Sequence, residues 1–309
     1  MGKAGAVTDW SEWRPVAGLP TPLRPDVLAE VLDGGQAFRW NACADGSWLG
    51  LWSDRVVRLR ENAGKVDWCA PQPDATATEN ALAGYLATDV DFAALTDALP
   101  WRSDPQLAAA LHAFPGLRIL RQPFGETLLG FMCSAMKQIP QIKRMLALLA
   151  ERHGAPVATV ALPGAAEPVA LHRLPTWPEI ARIPERELRT CLLGFRARHI
   201  AATARHLAAR PGWLEETASL PYADAKVRLC ELPGVGEKIA DCTLLFGAGK
   251  LEAFPVDVWI LRAIARRYRL EGWRPEPLAR FGRAHFGAAA GFAQQFLFAH
   301  ERRAARDER

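Results

Sequence analysis

The sequence predicts an α+β fold: a small N-terminal antiparallel β-sheet domain with flanking helices over residues 1–103, then a larger all-helical domain over residues 104–309. Two observations carry this expectation. Up to about residue 100, short apolar runs alternate with polar residues between turn formers, the period-two pattern of half-buried strands. From Asp104 onward the apolar spacing becomes helical, with short connections rich in Pro and Gly.

In the first part, Ala37–Trp40, Ser47–Trp52 and Arg55–Leu59 read as strands of a meander, with turns at Asn41–Gly46 and Glu61–Gly64. Two helices are predicted to accompany them, near Asp26–Leu32 and Thr78–Leu86. In the second part helices are predicted over 105–114, 124–136, 139–153, 177–182, 185–192, 196–209, 223–231, 237–247, 257–268 and 289–302. The Ala-, Pro- and Gly-rich stretch His153–Pro168 is predicted as a surface loop, and the charged run Glu301–Arg309 as a solvated helix end.

Half of the residues are hydrophobic and 23% are charged, the composition of a folded globular chain rather than a disordered one. The net charge of +4 is compatible with a polyanionic partner but does not select one. The six cysteines, Cys43, Cys69, Cys133, Cys191, Cys230 and Cys242, form no CxxC pair. That spacing excludes a tight four-cysteine iron–sulfur loop and a zinc finger, and predicts free thiols in a reducing compartment. Met1–Pro15 lacks the apolar stretch of a secretory signal, and no apolar run reaches the roughly 18 residues of a membrane span. A cytoplasmic location is therefore expected, nucleoid-associated if the source is bacterial.

The chemistry concentrates in Leu232–Cys242, LPGVGEKIADC. Pro233 and Gly234 make a tight turn after one helix, Gly236 supplies a second permissive backbone position, and a new helix begins. Such a hairpin leaves several backbone N–H groups unpaired beside the positive end of a helix dipole, a site for a phosphate, with Gly234, Val235 and Gly236 as the residues facing the DNA backbone. The segment also fits a plain αα-turn. Lys238 falls in the first helical turn, where the dipole opposes a cation and favours the neutral, nucleophilic amine; it also fits an exposed lysine. Asp257, in FPVDV, precedes an apolar helical run and fits an N-cap. Its carboxylate would equally suit stabilising positive charge on a sugar attacked by the amine.

LPGVGEKIADC followed by FPVDV resembles the helix-hairpin-helix Gly-Pro-Asp signature of the DNA glycosylase superfamily, and most closely its 8-oxoguanine DNA glycosylase family. Four more segments match that family in order: GGQAFRW (34–40), ILRQP (119–123), LGFRARHI (193–200) and GFAQQFLF (291–298). The resemblance implies a TBP-like sheet domain, a helical glycosylase domain and a bifunctional enzyme acting as a monomer on double-stranded DNA with a damaged base. In that chemistry the base is flipped out. Lys238 then displaces it and forms a Schiff base, and β-elimination nicks the strand. Carried over residue by residue, the Gly35 carbonyl would accept the N7 hydrogen of 8-oxoguanine, and Phe298 and Cys242 would sandwich the base. Gln294 would bind its Watson–Crick edge. No metal and no cofactor is implied; a monovalent or divalent cation at the hairpin is left open.

The sequence departs from the family around the orphaned base. Met136 stands where the family has an asparagine, and Gln141 where it has an arginine. Arg196 keeps a second arginine, and Phe195 replaces a tyrosine wedge. Lys137 and Gln138 are further candidates for the orphan base or a phosphate. Met fills space but does not pair with a cytosine edge. Trp259 replaces a histidine two residues after Asp257. Two other readings stand beside the first: the same scaffold acting on another damaged or deaminated base, and a non-catalytic DNA-binding protein.

Overall fold

The computed structural model describes residues 7–19, 22–72 and 75–307. The first six residues of Met1–Pro15 and the last two of Glu301–Arg309 lie outside them. The expected meander is part of an antiparallel sheet of β1 (Arg14–Pro15), β2 (Trp40–Ala42), β3 (Trp48–Trp52), β4 (Arg55–Asn62) and β5 (Lys65–Cys69), in the order β1-β5-β4-β3-β2. Its first strand, β2, begins at Trp40 rather than Ala37 and runs into the expected turn, and β1 and β5 are additional. Helices α1 (Pro25–Asp33), α2 (Ala75–Tyr85) and α3 (Phe92–Ala98) accompany it. The helical body is α4 (Pro105–Ala113), α5 (Phe124–Cys133), α6 (Ile139–His153), α7 (Trp177–Ile180), α8 (Glu185–Leu188), α9 (Arg196–Ala208), α10 (Trp213–Ser219), α11 (Tyr222–Cys230), α12 (Glu237–Ala248), α13 (Val258–Tyr268), α14 (Pro275–Phe286) and α15 (Ala290–Asp307). The architecture is α+β, as the sequence predicts.

Four differences have physical causes. His153–Pro168 is not a loop throughout: β6 (Pro156–Val160) pairs with β7 (Val169–His172). This hairpin covers the outer face of the first sheet, where Leu49, Leu51 and Val56 pack with Val157, Ala158, Leu162 and Leu171. The strands alternate apolar side chains onto both faces, so both need a cover. Helix α14 falls in a segment read as a connection because Pro275 and Pro277 look like breakers; Pro275 opens the first turn, where a missing N–H costs nothing. The seven-residue helices α3 and α10 are too short to show a periodic apolar face. Finally, α5 stops at Cys133 rather than 136, because Met136 takes a left-handed φ of 55°.

The main core runs unbroken across residue 103, from Leu23 on the sheet side to Ala299 on α15. Gln36 ties the two parts at their centre. Its Nε2 donates to the Arg118 carbonyl at 2.9 Å, and its Oε1 accepts from the Leu120 amide at 3.0 Å. Gln122 Nε2 in turn donates to the Gln36 carbonyl at 2.7 Å. Nearby, Phe38 meets Phe131 of α5 edge-to-face at 5.2 Å, and Phe131 stacks on Phe246 of α12 at 5.5 Å. These aromatic contacts fix α12 against both the sheet side and α5.

Candidate active site

Helices α5, α6, α12, α13 and α15 surround one cleft of about 1060 Å³, and Gly35 closes its sheet side. Its lining contains Lys238 and Asp257 together with Gly35, Cys242, Gln294 and Phe298. Met136, Lys137, Gln138 and Gly236 stand in the same lining.

The hairpin between α11 and α12 is built as its residues dictate. Gly234 has φ 81°, and a Cβ there would meet the Cβ and Cγ of His199 at 2.7 Å. Thr203 Oγ1 holds the Pro233 carbonyl at 3.1 Å, so the turn rests on α9. The Val235 amide is not free for a phosphate: it donates to the Leu232 carbonyl at 3.0 Å and closes the turn. Gly236 also differs from its expected role. Its φ of −101° and ψ of 179° suit any residue, but a Cβ would point into open space. As N-cap it offers no side-chain oxygen to the first turn of α12. That turn therefore presents its N–H groups outward, ready for an anion. Replacing Gly234 by Ala should cost about 2–4 kcal/mol, from the left-handed φ and the overlap with His199, read as a lower urea midpoint.

Lys238 sits in the first turn of α12 and reaches back over α5. Its Nζ donates to Ser134 Oγ at 3.1 Å and stands 5.2 Å from the centre of the Phe131 ring. The Ser134 hydroxyl gives its own hydrogen to the Phe131 carbonyl at 2.7 Å, so its lone pair faces the amine. Ser134 carries no catalytic pattern in the sequence; only the end of α5 at Cys133 brings it beside Lys238. Asp257 caps α13, with Oδ1 accepting from the Trp259 and Ile260 amides at 3.0 and 2.9 Å. Burial holds its carboxyl above the usual aspartate range, against those two amides and the charge of Lys238. Trp259 lines the cleft, with Arg262 5.9 Å from its ring.

The cleft walls suit a flat, polar-edged ring. Cys242 lies one helical turn beyond Lys238, and burial pushes its thiol up to about 12. It therefore stays a neutral surface rather than a competing nucleophile. Gln294 is buried; its Nε2 donates to the Pro255 carbonyl at 3.1 Å, while Oε1 has no partner among the described residues. An unpaired buried acceptor lining a cleft is a place for a ligand N–H. Phe298 follows one turn later on α15, and a Cβ at Gly35, which has φ 110°, would lie 3.6 Å from its ring.

The mouth is formed by the turn after α5. Met136 is 92% exposed, and its left-handed φ of 55° pushes the side chain outward. Leu192, 57% exposed with φ 64°, and Phe195, 48% exposed, are exposed apolar residues of the segment that leads into α9. Lys137 is exposed in the same turn as Met136. The other candidates serve the local fold. Gln141 Oε1 accepts from the Gln138 amide at 3.2 Å, which caps α6. Arg196 is buried beneath the turn, donates to the Ala135 carbonyl and lies 4.5 Å from the Phe195 ring centre. Its guanidinium supports the turn in this conformation rather than pointing to an orphaned base.

The fold and its cleft together are those of a helix-hairpin-helix DNA glycosylase. Residues 19–128 match the family described as 8-oxoguanine DNA glycosylase, N-terminal domain. The chain is 33% identical over 268 residues to the N-glycosylase/DNA lyase of Saccharomyces cerevisiae, covering 79% of this chain and 68% of that protein. It is 29% identical over 310 residues to N-glycosylase/DNA lyase OGG1 of Arabidopsis thaliana, covering 95% and 81%. Among solved structures it superposes on the Clostridium acetobutylicum 8-oxoguanine glycosylase/lyase bound to double-stranded DNA containing cytosine opposite 8-oxoG. The TM-score is 0.82 at 28% identity, over 92% of this chain and 93% of that one. The chain belongs to the 8-oxoguanine DNA glycosylase family.

Proposed function

We propose that this protein is a bifunctional DNA glycosylase and abasic-site lyase that removes 8-oxoguanine from double-stranded DNA, working as a monomer. The observation that carries the reading is the placement of the Lys238 amine and the Asp257 carboxylate in one cleft with Phe298, Cys242 and Gln294. The activities named for its relatives support it.

The residues divide the work. The first turn of α12 receives a DNA phosphate, which positions the duplex without reading sequence. Met136 and Phe195 fill the space the flipped base vacates. The base enters between Phe298 and Cys242, with N–H groups of its Watson–Crick edge on Gln294 Oε1 and the N7 hydrogen of 8-oxoguanine on the Gly35 carbonyl. Guanine lacks that hydrogen and leaves the carbonyl unpaired. The lone pair of the Lys238 amine attacks C1′, and the bond electrons leave with the base. Asp257 stabilises the positive charge that develops on the sugar. The lysine gives one proton to the departing base and the other to O4′ as the sugar ring opens, which leaves the Schiff base. The C2′ proton then passes to water as the C3′–O bond breaks and its electrons leave with the 3′ phosphate. As written, the reaction needs no cofactor. Among the described residues no three His, Cys, Asp or Glu side chains gather as metal ligands, and no helix is long and apolar enough to cross a membrane.

A cleavage panel tests this reading, with 8-oxoguanine opposite each of the four bases beside uracil, hypoxanthine and alkylated purines. The expected result is fastest release of 8-oxoguanine, with borohydride-trappable enzyme. Release opposite the four bases should differ by less than about tenfold, because Met136 and Gln141 do not make the edge contact worth about 1–3 kcal/mol. Faster release of another base would transfer the scaffold to that lesion. Binding without release of any base would make the protein a non-catalytic binder.

A further inference from the structure

Arg302 lies one helical turn beyond Phe298 on α15, in a run read from sequence as a solvated helix end. It is not solvated. Its guanidinium donates from Nη1 to the Gly34 carbonyl and to Glu30 Oε1, the latter at 2.8 Å, and its carbon lies 5.3 Å from the Phe298 ring centre. The side chains of Arg302 and Glu30 are only 11% and 8% exposed. An ion pair this buried persists only when its hydrogen bonds are well made.

The pair holds a segment with little stiffness of its own. Gly34 ends α1, and a Cβ there would meet the Glu30 carbonyl at 2.0 Å. Gly35 follows with φ 110°. Two successive glycines make the most easily reoriented peptide a chain contains. On its C-terminal side the segment is fixed by the buried amide of Gln36 on Arg118 and Leu120. On its N-terminal side Lys143 of α6 holds the preceding Asp33 at 2.7 Å, and among the described residues Arg302 alone bonds the turn's own peptide, at the Gly34 carbonyl. Arg302 shares α15 with Gln294 and Phe298, so one helix sets three sides of the base pocket.

We propose that the Glu30–Arg302 pair is a positioning clamp that holds the Gly34–Gly35 turn over Phe298, and thereby sets how strongly the pocket favours 8-oxoguanine over guanine. The inference rests on the base-pocket reading above. Arg302 touches no reacting atom; it acts through the Gly35 carbonyl and the Phe298 ring. A shift of the turn by about an ångström moves the carbonyl out of hydrogen-bond range of N7, a displacement of the size that costs about a hundredfold in rate.

The test compares wild type with Arg302→Leu, Arg302→Lys and the double variant Glu30→Gln/Arg302→Leu. The double variant removes the buried carboxylate that Arg302→Leu alone leaves without its partner, so folding does not confound the result. Three readouts are taken in single turnover: release of 8-oxoguanine, release of guanine from the same sequence, and nicking of a preformed abasic site. The abasic site has no base to seat. Both leucine variants should lose about 10- to 100-fold in 8-oxoguanine release, with the 8-oxoguanine/guanine ratio falling and abasic nicking within about twofold of wild type. Arg302→Lys, which keeps the cation over the ring and a donor for Gly34, should recover most of the loss. Wild-type release and ratio in the double variant would overturn the clamp. So would a parallel loss of excision and nicking, which would make the pair a purely structural tie. Failure of the wild type itself to release 8-oxoguanine would instead overturn the pocket reading.

Discussion

Lys238→Gln should abolish both base release and borohydride trapping while leaving DNA affinity within about threefold of wild type. The carboxamide nitrogen shares its lone pair with the carbonyl, so it neither attacks C1′ nor forms a Schiff base. Gln keeps a polar end that can still bond Ser134 Oγ, the partner of the lysine amine at 3.1 Å. The first turn of α12 and its outward N–H groups do not depend on the lysine side chain, so phosphate contact survives. The loss expected is at least about 10⁴-fold in single-turnover rate, about 5 kcal/mol of transition-state stabilisation. Thermal stability should hold or rise slightly, since a cation in the first turn opposes the helix dipole by about 0.3–1 kcal/mol. Gel-resolved trapping on a lesion duplex, paired with fluorescence anisotropy, reads both halves. Trapping at the wild-type level would remove Lys238 as nucleophile.

Asp257→Asn should separate chemistry from capping at one atom's change. Asn is as good an N-cap as Asp, and its oxygen can take the Trp259 and Ile260 amides that now bond Oδ1. The charge, however, is gone, and base release should fall by about 10²- to 10⁴-fold. The direction of the carboxyl's shift adds two expectations. Burial raises its folded-state pKa. The wild-type rate, which needs the ionised form, should therefore fall on the acid side at a pH above the ordinary aspartate value of about 3.9, a limb absent from the variant. For stability the sign is the opposite of a paired surface carboxylate. A raised folded-state pKa contributes stability below the unfolded pKa and loses it as pH rises through the folded one. At neutral pH the ionised, buried group destabilises, so Asp257→Asn should melt at or above the wild-type temperature, the difference closing in acid. An unchanged rate with a lower melting temperature would reduce Asp257 to a cap.

Much of this site was legible in the chain. The hairpin glycines, the lysine after them and the aspartate before an apolar run sit in short contiguous segments, and local backbone chemistry dictates what such segments do. GGQAFRW and ILRQP could be matched as motifs, but their joint purpose is spatial: Gln36 from one clasps Arg118, Leu120 and Gln122 around the other. Ser134 and Arg302 were missed because nothing in their neighbours marks them. A serine in the last turn of an expected helix and an arginine in a charged tail are ordinary in sequence, and each gains its role from a residue more than a hundred positions away.

The mouth of the cleft marks the same division. That a methionine stands at 136, where the resemblance implies an asparagine, is read from sequence, and a methionine side chain does not pair with a base edge. That Met136 is thrust outward at φ 55°, that Gln141 caps α6, and that Arg196 lies beneath the turn are facts of packing. By itself the sequence determined the α+β order of elements, the hairpin, the lysine just after it and the aspartate that opens the following helix, because those follow from periodicity, caps and glycines acting over a few residues. The tertiary structure alone decided which side chains line the cleft, which bond the Gly34–Gly35 turn, and that residues 156–172 cover the sheet. Those outcomes depend on apolar surfaces and buried charges finding partners far along the chain, and such pairing leaves no local pattern.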